Sequence, residues 1–250
     1  MEVSIGLAGQ NIRIQYRYPS TRQFLSEYII EEEPQDTAES ILVSIRMDDI
    51  QYEKEKSAFE DQKEGIDIRY FSDEYLETLA IYRQIAEAMI DKNILLFHGS
   101  AVAVDGQGYL FTAKSGTGKS THTRLWREVF GQRAVMVNDD KPLLEVTSEG
   151  VIVHGTPWDG KHHLSNKIAV PLKGLCILKR SEDDTNRIHP ITKRDAYPML
   201  VQQSFRSGDP KKLMKSMELI DKISQIPLYE LHCTMEPEAA KAAFAEMSGK

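Results

Sequence analysis

The sequence predicts a mixed α/β protein, in which a small β-rich unit precedes a larger domain of strands and helices. Three observations carry that prediction. Before residue 70, apolar and polar residues alternate with period two at several places, the mark of half-buried strands. The run Leu110-Phe111-Thr112-Ala113-Lys114-Ser115-Gly116-Thr117-Gly118-Lys119-Ser120-Thr121 passes from an apolar strand through a glycine-rich turn into a helix start. Asp105-Gly106 lies between two apolar stretches and signals a hairpin, so the strand entering the glycine turn gains an antiparallel neighbour and the sheet is mixed.

Each element follows from local chemistry. Ile12, Ile14 and Tyr16 alternate with Arg13, Gln15 and Arg17, Ile41–Ile45 is a second strand, and Ile66, Ile68 and Tyr70 alternate as a third. The acidic run Glu31-Glu32-Glu33-Pro34 between the first two reads as a solvated loop. Ser72 is an N-cap, with Asp73 and Glu74 in the first turn of a helix whose apolar face runs from Leu76 to Ile90. Asp91-Lys92-Asn93 ends it. This places a β-rich unit with its connecting helix at residues 1–90 and the main domain at 91–250. Strands then fall at Ile94–Phe97, Ala101–Val104 and Tyr109–Thr112, and a helix runs from Ser120 to about Phe130. Further strands are Ala134–Val137, Val151–Val153, Leu175–Leu178 and Leu228–Leu231. Helices cover 193–204 and 210–225, and an Ala-rich helix begins near Glu236.

Bulk properties exclude several function classes. The formal net charge is −7, which argues against a general nucleic-acid or anionic-membrane binder. No stretch approaches the ~20 apolar residues that span a bilayer. Met1-Glu2-Val3-Ser4 lacks the charged-then-apolar pattern of a signal peptide. The two cysteines, Cys176 and Cys233, make no disulfide framework, so a reducing, cytoplasmic location is expected.

The glycine run is the layout of a phosphate-binding loop. Backbone N–H groups of Ser115, Gly116, Thr117, Gly118 and the helix start, including Thr121, would cradle phosphate oxygens. Lys119 would reach the β- and γ-phosphates, and the Ser120 hydroxyl would hold Mg²⁺. The strict pattern has Gly where this chain has Ala113, and Ala resists positive φ. Downstream, Asp139 and Asp140 close an apolar strand, where ligand crevices of α/β sheets lie. One carboxylate there can hold Mg²⁺ and a second can accept a proton from an attacking hydroxyl. Side chains adjacent on a strand diverge, so at most one should face the phosphates unless the strand has ended. Asn138-Asp139-Asp140-Lys141-Pro142 also reads as plain turn chemistry.

The series His98-Gly99-Ser100-Ala101, the Asp105-Gly106 turn, the loop at 110–121 and Asp139-Asp140 resembles two related families. One is ATP-dependent phosphoenolpyruvate carboxykinase and the other is HPr kinase/phosphorylase, a bacterial protein-serine kinase. The resemblance spans roughly residues 94–165 and implies a P-loop kinase core with a mixed sheet. It accounts for Ala113, because these families do not keep the first glycine. It implies ATP and Mg²⁺ as cofactors, with Lys119 on the transferred phosphate and Ser120 at the metal, and of the strand-end carboxylates Asp139 is the one expected to join Ser120 there. It implies Asp140 as proton acceptor in the kinase family or metal ligand in the carboxykinases, and His98 as an active-site or metal-ligand residue. The stretch Val153–Lys161 looks like the carboxykinase segment after the Asp pair, which makes Lys161 a nucleotide-contact candidate.

The chain departs from the HPr kinase pattern in having no Glu between Glu149 and Glu182 for the metal. A phosphate-clamping Arg is expected, and Arg206, Arg180 and Arg187 compete for that role. His162-His163 would diverge on a strand, so a loop contact suits them better than a metal. The function expected is Mg-ATP-dependent transfer to a serine-type hydroxyl of a protein, peptide or small molecule. The alternatives are a non-catalytic ATP-binding regulator and, less favoured, a carboxykinase-like phosphotransferase. Neither nucleic acid nor membrane is expected as a partner. Related kinases assemble, which leaves room for a homo-oligomer, although no residue marks an interface.

Overall fold

The structure, a computed structural model, describes residues 1–31 and 40–249. The acidic run thus falls, apart from Glu31, outside the described residues. Two compact units emerge, Met1–Ala88 and Met89–Lys250.

In the first unit, β1 (Glu2–Leu7) and β2 (Gln10–Gln15) form an antiparallel hairpin. Ala8 and Gly9 turn it with φ of 48° and 72°, the two left-handed residues of a type I′ turn. After α1 (Pro19–Phe24), β3 (Ile41–Ser44) pairs parallel to β2. Ile5, Ile12, Ile14 and Val43 are buried on the inner face. The buried Glu77 of α3 (Asp73–Met89) accepts bonds from the N–H groups of Arg17 (2.5 Å) and Tyr18 (3.1 Å) at the start of α1. A carboxylate suits that position, where helix N–H groups lack intrahelical partners. Ser72 caps α3, with the Tyr75 N–H 3.3 Å from its Oγ, and Asn93 closes the following 3-10 turn at φ 60°.

Residues 66–70 are not a strand. Their chain is irregular, and Ile66, Ile68 and Tyr70 are exposed. The preceding stretch is instead a long helix, α2 (Met47–Glu64), rich in Glu, Lys and Gln. These are strong helix formers, but with so few apolar residues they leave little periodicity to read. Gly65, at φ 70°, ends α2 in the left-handed conformation. Asp61 then fastens the next loop, accepting from the N–H (2.8 Å), Nε (3.1 Å) and Nη2 (2.6 Å) of Arg69.

The second unit is a curled mixed sheet between helices. Its strands are β4 (Ile94–Leu96), β5 (Ser100–Val104), β6 (Gln107–Thr112), β7 (Ala134–Asn138), β8 (Leu143–Val146) and β9 (Val151–His154). They are followed by β10 (Ala169–Arg180), β11 (Arg187–Pro190) and β12 (Leu228–Cys233). The path is β4-β8-β9-β10-β6-β5-β7, and β12 adds to β10 and carries β11. β5 and β6 form the predicted antiparallel hairpin through Asp105 and Gly106, whose φ values are 52° and 77°. The other neighbour of β6 is β10, and that pairing is parallel, as is β10 with β12. Twelve residues long, β10 borders β9 at its start and β12 at its end, which joins both parts of the sheet.

Side chains alternate between two cores. Ala101, Ala103, Leu110, Leu175 and Ile177 face α5 (Lys193–Gln203) and α6 (Pro210–Ile223), where Leu200, Leu219 and Ile220 complete the layer. Val102, Val104, Tyr109, Phe111 and Cys176 face α4 (Lys119–Phe130) and α7 (Pro237–Ser248) around Trp126 and Ala243. Buried on both faces, β5 and β6 read as continuous apolar runs. No helix among the described residues is long and apolar enough to cross a membrane.

Candidate functional site

The glycine loop joins β6 to α4. Lys114 and Thr117 close a turn, with the Thr117 N–H 3.2 Å from the Lys114 carbonyl. Gly116 (φ 73°) and Gly118 (φ 115°) take the left-handed conformations that a side chain would oppose. Ala113 is buried and is not among the residues with positive φ, so this position makes no demand for glycine. α4 starts at Lys119 and its first bond runs from the His122 N–H to the Gly118 carbonyl, 2.9 Å. The N–H groups of the first turn therefore remain available at the loop.

Two faces of α4 part at this point. Ser120 and Thr123 turn toward β5 and the end of β7. Ser100 donates to Asp139 Oδ1 at 2.7 Å and lies 2.8 Å from the Thr123 hydroxyl, and Ser120 also hydrogen-bonds Asp139. Burial pushes the Asp139 carboxyl up, and the Ser100 and Ser120 hydroxyls and nearby His162 pull the other way. Burial would raise Asp140 too, but the His98 hydrogen bond, Lys141 and Lys119 outweigh it and hold that carboxyl below its ordinary range. His98 Nε2 stands 3.2 Å from Asp140 Oδ1. Desolvation lowers the Lys119 ammonium, against the pull of Asp140 and Asp139.

Both aspartates reach the loop because β7 ends one residue earlier, at Asn138. The buried Asn138 bolts the turn. Its Oδ1 accepts the N–H groups of Asp140 (2.9 Å) and Lys141 (2.6 Å), while its amide donates to the carbonyl (3.0 Å) and hydroxyl (3.0 Å) of Thr156. The turn reading of Asn138–Pro142 and the ligand reading of the aspartates are thus compatible. The Asn builds the turn and the turn aims the carboxylates.

His98 is placed by backbone. Its N–H donates to the Gln203 carbonyl at 2.7 Å, its own carbonyl accepts from the Thr112 hydroxyl at 3.0 Å, and the Gly99 N–H donates to the Asp140 carbonyl at 3.0 Å. A Cβ on Gly99 would stand 3.0 Å from the Phe111 carbonyl oxygen, which explains a glycine between His98 and Ser100. Lys161 is exposed on the turn 159–165. That turn is held by the buried Asp159, which accepts from Ser165 N–H (3.1 Å) and lies 3.0 Å from His163 Nδ1. Its Gly160 abuts Asp140, where an added Cβ would meet the Asp140 Cβ at 3.3 Å.

Of the three arginines weighed from sequence, Arg180 touches the loop. Its Nη2 donates to the Gly116 carbonyl at 2.6 Å. Arg187 pairs with Asp183. Arg206 is exposed beyond Phe205, on a segment whose antiparallel bridge to Phe97 carries it away from His98. The sequence reading gave no role to Ser100 or Thr123 and read Asn138 only as part of a turn. Only Asn138 left a signal, as the first residue of a turn-forming run.

Ser120 and Asp139 are hard oxygen donors, hydrogen-bonded to each other, and suit Mg²⁺. Among the described residues no group of three or more His, Cys, Asp or Glu is placed to hold a metal.

No family model matches the chain, and no curated protein matches it. Among solved structures, an HPr(Ser) kinase/phosphatase from Coxiella burnetii is similar at 11% identity and a TM-score of 0.37, over 62% of this chain and 97% of that one. A likeness that slight says nothing of activity, and the fold description rests on the sheet itself.

Proposed function

We propose that the unit at 89–250 binds Mg-ATP across residues 115–121 and transfers the γ-phosphate to a serine-type hydroxyl of a protein, peptide or small molecule. One observation carries this reading. Three segments distant in sequence bring an ammonium, a hydroxyl and two carboxylates to the start of one helix: Lys119 and Ser120 from α4, Asp139 and Asp140 after β7, with His98 behind Asp140. Phosphoryl transfer asks for positioning, neutralised charge and a proton acceptor, and little else.

In this scheme the loop N–H groups and Lys119 hold the phosphates. Ser120 and Asp139 would hold Mg²⁺, which supplies charge neutralisation on the phosphate oxygens. Asp140, kept ionised by its neighbours, takes the acceptor's proton as its oxygen bonds to the γ-phosphorus and the bond to ADP breaks. His98 orients the Asp140 carboxylate. A carboxykinase reading finds less support, because residues 1–88 hold 19 acidic and 9 basic residues and suit no dicarboxylate substrate.

The test is transfer from γ-labelled ATP to serine, peptides and cell-extract proteins. Label should reach at least one acceptor, and Lys119→Ala should abolish transfer while circular dichroism stays unchanged. Binding with no transfer to any acceptor would favour a regulator. Unaltered turnover in Lys119→Ala would refute the assignment.

A further inference from the structure

Resting on that reading, we infer that a cleft on the far side of α4 receives the nucleoside of the triphosphate, and that His122 donates a hydrogen bond to its base. The cleft has a volume of about 690 Å³ and is bounded by the glycine loop, α4, the β10–β11 turn and the β12–α7 turn. That is within the ~300–1,000 Å³ usual for small-ligand sites. It shares Gly116 and Gly118 with the carboxylate site but none of Lys119, Ser120, Asp139, Asp140 or His98. On α4 it is lined by Thr121, His122 and Leu125, one face of the helix, whereas Ser120 and Thr123 belong to the other. A triphosphate lying over the loop with its last phosphate at Asp140 therefore has its sugar and base on the cleft side.

His122 is the independent pointer to a ligand. It is 2% exposed, and Trp126 Nε1 lies 3.0 Å from its Nε2. Indole nitrogen only donates, so Nε2 accepts and the ring proton sits on Nδ1. That Nδ1–H finds no acceptor among the described residues. A buried donor without a partner is rare enough to need a reason, and a ring nitrogen or carbonyl of a base supplies one. Charge sorts the two ends of the cleft. Arg180 sits at the loop end, on the Gly116 carbonyl, and the rest of the rim carries Asp184, Glu236 and Glu238. Carboxylates repel further phosphate and accept from ribose hydroxyls. Met235, 75% exposed on the same rim, offers a thioether for a base to cover.

Calorimetry of the full chain with MgATP and with magnesium tripolyphosphate tests this. MgATP should bind at least about tenfold more tightly, since each hydrogen bond and buried contact adds on the order of 1 kcal/mol. Met235→Asp, a surface change that leaves the fold alone, should weaken MgATP about three- to tenfold and leave tripolyphosphate unchanged. His122→Phe, which keeps a ring but no donor, should do the same if folded. Equal affinity for the two ligands, or a Met235→Asp variant indistinguishable from the parent on both, overturns the inference while leaving the loop's role intact. Failure of both ligands to bind the parent protein overturns the proposed function as well.

Discussion

Asp139 and Asp140 are neighbours in sequence with opposite electrostatics. Asp139 is buried among hydroxyls, so its charge is poorly solvated; Asp140 is steadied by cationic neighbours. Substituting each by Asn should separate two roles. Asp139→Asn removes a buried charge yet keeps an oxygen for Ser100 and Ser120, so the ligand-free protein should melt about 2–4 °C higher, the shift expected for about 1 kcal/mol. The same variant should lose Mg²⁺-dependent nucleotide binding, and differential scanning fluorimetry with and without Mg-ATP reads both effects. Asp140→Asn should keep Mg-ATP binding and lose transfer; loss of binding instead would make Asp140 a metal ligand. Lys119, Ser120 and the Asp pair could be singled out in the sequence, from the loop's pattern and from the resemblance of the series that runs from His98 to Asp140. Ser100 and Thr123 could not, since a hydroxyl within an apolar strand or a helix carries no mark of what it will meet across the sheet.

At the scale of elements, the β5–β6 hairpin and the strands buried on both faces could be read from their turn residues and apolar runs. β10 could not be read whole. Only Leu175–Leu178 forms an apolar run, while Pro171, Lys173 and Gly174 interrupt the pattern in the half that pairs with β9 and the start of β6. β8 and β11 are short and carry weak signals, and α2 hides its helix in charge. Two predictions belong here. A Cβ on Gly155 would stand 2.0 Å from the Asn166 carbonyl oxygen and 2.7 Å from that of Val137. Backbone cannot swing aside as a side-chain tip can, so Gly155→Ala should destabilise by about 3 kcal/mol or more, measured by urea unfolding. The second concerns the loop after α2. Hydrogen bonds from the Arg69 side chain and then its N–H hold the Asp61 carboxyl below its ordinary value, with burial opposing. A depressed native pKa means that the tie is present at neutral pH and is lost as pH falls through that lowered value. Acidification, or Asp61→Asn at neutral pH, should therefore speed amide exchange across 65–71.

The whole molecule divides its charge unevenly. Residues 1–88 hold 19 of the 38 acidic residues but 9 of the 31 basic ones, which leaves 19 acidic and 22 basic residues in 89–250. The sequence reading placed a boundary near residue 90 from the helix that ends at Asn93. How many strands the second unit would gather lay beyond it, because strand order depends on contacts between residues far apart in the chain. If the loop binds Mg-ATP, only the second unit gains stability directly. Calorimetry should show the nucleotide stabilising that unit by about 2.7 kcal/mol at a hundredfold excess over Kd.

β10 has a consequence for the order of folding. Its partners include residues as remote as Leu110 and Leu228, both matched to Leu175. Closing such wide loops is slow, since chain entropy is lost before any contact rewards it. The β5–β6 hairpin can zip early, yet the end of β6 that launches the glycine bend stays unsupported on one side until β10 arrives. In a refolding experiment, hairpin amides should gain protection first, and competence to hold triphosphate should emerge only in the last kinetic phase.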